Sequence, residues 1–87
     1  MRLRVQNVSE ALHPNERVVE IRTSKGTERL VVDHRALVGQ TLPIGAPIAQ
    51  KSNLWLIELP RETMTGSWRV WVKKSAVVND TPRRRVA

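Results

Sequence analysis

Two runs of this sequence alternate apolar and polar residues with period two across a short gap. That pattern constrains the fold more than any other feature. In residues 17–23, Val19 and Ile21 alternate with Glu20 and Arg22; in residues 28–33, Leu30 and Val32 alternate with Arg29 and Asp33. Successive side chains of a strand point to opposite faces, so each run has a wet side and a dry side. Ser24-Lys25-Gly26-Thr27 lies between them, and its Gly can take a positive φ without steric cost. The pair predicts a β-hairpin with Val19, Ile21, Leu30 and Val32 buried and Glu20, Arg22 and Arg29 exposed.

The rest of the chain repeats this habit in shorter pieces. Val and Ile together fill 16 positions. Both are stiff at χ1 and fit a pleated surface better than a helix. No window sustains the i, i+3, i+4, i+7 pattern of an amphipathic helix over three turns. Further strands are expected at residues 3–8, 47–50, 54–59, 67–72 and 77–78, separated by Gly, Pro, Asn and Ser. Ser9 can cap one helical turn that Pro14 ends, and Asp33 can cap another that Gly39 ends. The expected fold is all-β: a small, strongly bent antiparallel sheet or partly open barrel of five to seven short strands with little helix. With 87 residues the chain holds one core. Residues 1–79 are expected to form that single β domain. Residues 80–87, which lose apolar periodicity, are expected to form a flexible basic tail.

From Gly45 onward a more particular pattern emerges. Gly45-Ala46-Pro47-Ile48 leads through a turn to Leu54-Trp55-Leu56-Ile57-Glu58-Leu59, then a polar loop ends at Gly66. Trp68-Arg69-Val70-Trp71-Val72-Lys73-Lys74-Ser75-Ala76-Val77-Val78 follows. This stretch resembles the second half of bacterial Src-homology-three-like barrels. There a Trp-containing strand pairs with a Trp-Val strand, and a short 3₁₀ turn leads to the closing strand. The resemblance implies a small barrel and a binding-module role. It carries no ligand residue onto this chain, which lacks the clustered tyrosines of the eukaryotic modules: Tyr is absent altogether.

Charge points to the class of partner. Lys and Arg number 15 against 8 Asp and Glu, a net charge of +7. Such a balance favours an anionic partner, whether nucleic acid, anionic lipid or an acidic protein face. Three features could form a binding patch. Trp71 stands between Arg69 and Lys73 at strand spacing, so all three share one side. Lys74 adds a further charge beside them, and Arg83, Arg84 and Arg85 follow in the tail. A tryptophan between cations can stack on a base while the cations track phosphates. Arg2 and Arg4 extend the patch if the first strand lies beside the last.

Catalysis is not expected. There is no Cys, and His13 and His34 are far apart in the chain. Asp33 and His34 are adjacent, and adjacent strand residues point apart. No Gly-rich phosphate loop or nucleophile motif occurs. No cofactor or metal site is expected, since two distant histidines and scattered carboxylates lack ligand spacing. No membrane span is expected either. The longest uncharged stretch, residues 36–50, is 15 long and broken by two Gly and two Pro. No apolar run follows the charged start, so a cytoplasmic location is the expectation. The sequence therefore suggests a non-catalytic interaction module with a protein partner. The alternative is a sequence-nonspecific nucleic-acid binder using Trp71 and the basic patch. Homodimerisation through an open sheet edge is a third possibility.

Overall fold

A computed structural model describes residues 1–79. The expected tail at residues 80–87, including Arg83, Arg84 and Arg85, lies outside the described residues. The fold is all-β, as the alternation implies. Its strands are β1 (Arg2–Arg4), β2 (Gln6–Glu10), β3 (Glu16–Thr23), β4 (Gly26–Asp33), β5 (Thr41–Pro43), β6 (Ala49–Lys51), β7 (Leu54–Glu58), β8 (Arg69–Lys73) and β9 (Val77–Val78). They form three antiparallel sheets in the orders β5-β1-β9, β2-β3-β4 and β6-β7-β8, none closed into a barrel. There are more strands than expected for two reasons: the first apolar run splits into β1 and β2, and residues 41–43 form a strand of their own.

The hairpin β3–β4 dominates. Thr23 pairs with Gly26, so the connection is only Ser24-Lys25, tighter than the four residues expected. Gly26 takes φ 126° and absorbs the turn, while Thr23 Oγ1 donates to the Gly26 carbonyl and accepts the Lys25 N–H. Val19, Ile21, Leu30 and Val32 are buried, and Arg22 and Arg29 are exposed. Glu20 is half-buried rather than exposed: Asn7 Nδ2 and Arg29 Nε both donate to its carboxylate, at 2.6 and 3.0 Å. The Asn7 bond first, then Arg29, hold its carboxyl below the ordinary range.

The split in the first run has a local cause. Val5 is buried, and its N–H donates to the Gln40 carbonyl at 2.8 Å, so the chain leaves one sheet for another there. In β2, Gln6 faces Glu20 but Ser9 faces Val18, one residue too many, and Asn7 takes φ 50°. Asn tolerates that left-handed conformation better than most residues, which suits it to a bulge. Ser9 lies in β2, so the helical turn expected from it does not form. The pairing with β3 satisfies its backbone instead.

One core is shared by all three sheets. Leu3, Val5, Val19, Ile21, Leu30, Val32, Leu42, Ile44, Ile57, Leu59, Val70 and Val72 are buried together. Asp33 does cap a short 3₁₀ turn, His34–Ala36: its Oδ1 accepts the Arg35 N–H at 2.8 Å, and the Arg35 guanidinium reaches both carboxylate oxygens. That guanidinium, then the backbone N–H, holds the Asp33 carboxyl far below the ordinary carboxylate range. A depressed folded pKa means Asp33 stabilises the fold fully above its unfolded value, near 3.8, and loses that contribution as pH falls toward the folded value. Asp33→Asn should therefore lower the thermal midpoint at about pH 5 and less so toward about pH 2. A gap between the two proteins that stays constant over this range would contradict the charge pairing of Asp33 with Arg35.

Candidate binding surface

The sheet β6-β7-β8 positions the candidate residues. On β8 the buried Val70 and Val72 fix the parity, so Arg69, Trp71 and Lys73 project from the opposite side. Arg69 and Lys73 are exposed, and Trp71 is half-buried. The register sets their neighbours. Trp71 faces Leu56, which faces Ala49; Arg69 faces Glu58, and Lys73 faces Leu54. An apolar row of Ala49, Leu56 and Trp71 thus crosses the outer side of the sheet, with a cation on either side of the tryptophan. Arg69 Nε lies 3.6 Å from Glu58 Oε2, with both side chains more than half exposed. Surface pairs of this kind contribute little, so Arg69 can exchange Glu58 for another anion.

The hairpin turn packs beside this row. Ser24 N–H donates to the Trp71 carbonyl at 2.9 Å. Lys25, Arg69 and Trp71 then line a shallow hollow of about 110 Å³.

Lys74 does not join the row. It starts the 3₁₀ turn Lys74–Ala76, and its Nζ sits 5.6 Å from the centroid of the Trp55 ring. That distance is within cation–π reach. Trp55 shares the parity of buried Ile57, packs against the core and donates from Nε1 to Gln50 Oε1 at 3.3 Å.

Trp68 departs from the alternation. Its spacing from Val70 and Val72 places it inward, yet it is 52% exposed. Regular strand begins only at Arg69, so the alternation does not extend to Trp68. Trp68 instead stands with half-exposed Ile48 on the rim of a hollow of about 540 Å³ whose walls include Ile44, Leu59 and Pro60.

Asp33 and His34 do not point apart as strand neighbours would. His34 opens the 3₁₀ turn, and its Nδ1 lies 3.7 Å from Asp33 Oδ1. Both groups have other partners: His34 Nδ1 also meets the Asn15 carbonyl at 3.0 Å, and Arg35 holds the carboxylate.

The first strand does lie beside the last: Leu3 pairs with Val77 and Arg2 with Val78. Arg2 nevertheless turns away from the patch. Its guanidinium donates to Thr41 Oγ1 and to the Ala36 and Thr41 carbonyls. Arg4 turns toward the 3₁₀ turn that follows β8 and donates to the Ser75 carbonyl at 3.2 Å.

Among the described residues no three of His, Asp and Glu gather where they could hold a metal ion, and no helix is long and apolar enough to cross a membrane. No family model matches the chain, and no curated protein or solved structure matches it.

Proposed function

We propose that the protein is a non-catalytic binding module of the cytoplasm. Its ligand face is the outer side of β7–β8, and its ligand is single-stranded nucleic acid bound without sequence preference. The observation that carries this reading is the outward row Arg69, Trp71, Lys73, with the tryptophan between two cations. Such a row offers one stacking surface and charges on both sides of it, and each stacked base contributes roughly 1–3 kcal/mol. An oligothymidylate is expected to quench tryptophan fluorescence at low salt, and Trp71→Ala to remove most of the quenching. Arg69→Ala and Lys73→Ala should each reduce the salt slope of binding by roughly 0.7, the value for one phosphate contact on a single strand. No quenching with the oligonucleotide in excess rejects this reading.

A protein partner is the second reading, and a separate observation favours it. β6 is an edge strand with all three residues exposed, and Ile48, just before it, shares a hollow with exposed Trp68. Open edges pair readily with another strand, either of a partner or of a second copy. The small-barrel resemblance of residues 45–78 fits the same role by analogy. Salt separates the two readings, because apolar and backbone contacts persist at ionic strengths that strip a phosphate ligand.

A further inference from the structure

Three strands from three different sheets end around one groove, and each brings a cation to it. Arg4 comes from β1, Arg22 from β3 and Lys73 from β8, lining a groove of about 350 Å³ that also holds Gln6, Ser24 and Ser75. No Asp or Glu lines it. We infer that this groove is a phosphate-binding site. The inference takes its ligand, the phosphate of a nucleic-acid strand, from the function proposed above, but its geometry is independent of Trp71.

Where the carboxylates lie supports this. Among the described arginines outside the groove, Arg29 pairs with Glu20, Arg35 with Asp33, Arg61 with Glu16 and Arg69 with Glu58, while Arg2 and Arg17 donate to backbone carbonyls. Arg4, Arg22 and Lys73 have no carboxylate within 4.0 Å among the described residues. Like charges lining one groove repel, and an anion bound there removes that repulsion. The donor set is also that of a phosphate site. Arg4 gives one N–H to the Ser75 carbonyl, and the rest of its guanidinium remains for a ligand. Arg22 supplies a planar fork and Lys73 a point charge, and both hydroxyls can donate. Parity explains the convergence: Arg22 follows buried Ile21 and Lys73 follows buried Val72, so each must face outward where its strand ends. Lys73 stands about 7 Å along the strand from Trp71, one pleat repeat, so a strand stacked on Trp71 can set a phosphate in the groove.

Inorganic tripolyphosphate, which has no base to stack, isolates the groove. Isothermal titration at low salt should show binding that Arg22→Gln and Lys73→Gln each weaken about tenfold and that Trp71→Ala leaves unchanged. Arg17→Gln, which removes the same charge from the other end of β3, is the control. Groove variants that behave like Arg17→Gln, or no binding at all, overturn the inference even if an oligothymidylate still quenches Trp71. Tripolyphosphate binding lost in the groove variants, with no quenching by the oligonucleotide, keeps the groove and rejects the strand reading. Oligothymidylates with and without a 5′ phosphate separate the two sources of the group. Equal, groove-dependent affinity assigns an internal phosphodiester; a groove-dependent gain from the 5′ phosphate assigns a terminal one.

Discussion

Ile21→Ala is expected to cost about 2–5 kcal/mol, the range for truncating a large aliphatic side chain in a packed core. Ile21 is 1% exposed and sits mid-strand in β3, where the long hairpin meets the core contributed by the other two sheets. Shared by all three sheets, that core gives little room for a backbone shift to fill the cavity. A chain of 87 residues has a total stability of roughly 4–13 kcal/mol, so the loss is a large share of it. Denaturant unfolding measures the change. Should the Ala variant fail to fold, Ile21→Val gives a smaller step of about 0.5–1.5 kcal/mol. Neighbouring Arg22→Ala should stay within about 0.5 kcal/mol, since its side chain is exposed. An Ile21→Ala loss under that same figure would falsify the register of the hairpin.

Thr63→Val carries the second large effect, about 1–3 kcal/mol. Thr63 is the one polar side chain buried among the described residues, at 4% exposure. Its Oγ1 accepts the Ser67 N–H at 3.0 Å and meets Thr65 Oγ1 at 3.1 Å, while Thr65 donates onward to Glu28. The next residue, Met64, donates its N–H to the Arg29 carbonyl. These bonds fasten the loop before β8 to β4. Valine keeps the shape of threonine and removes the acceptor, leaving the Ser67 N–H without its partner. Thr63→Ser keeps the hydroxyl and should retain most of the stability. Equal stability of the Val and wild-type proteins in urea would show that the loop is not held this way.

How far the sequence could be read depended on the range of the interaction that decided each feature. The β3–β4 hairpin was legible because alternation and the turn Gly lie within eighteen residues of each other. The row Arg69, Trp71, Lys73 was legible for the same reason: parity along one strand needs no tertiary knowledge. Lys74 was misplaced beside that row because the 3₁₀ turn rotates it toward Trp55, and residue spacing does not report where a strand stops. Trp68 was misplaced by one residue of strand end. Asn7 gave a usable signal in retrospect, since Asn amid an apolar-alternating run suits a left-handed φ, yet nothing in the run demanded a bulge. The groove was not legible at all as a unit. Arg4, Arg22 and Lys73 are spread over seventy residues, and only the packing of three sheets puts them together.

The pairing of β1 with both β5 and β9 also sets the order in which the protein can form. Leu3 must find Leu42 and then Val77, so the chain closes two loops that the hairpin does not require. Contacts this distant slow folding, because the entropy of closing a long loop is lost before the contact compensates for it. During synthesis the β3–β4 hairpin can assemble early, while the first strand waits, unpaired on one side, for almost the last of the described residues. Arg4 takes its place against Ser75 only at that closing step, so the groove proposed to bind phosphate is completed late, after most of the core is in place.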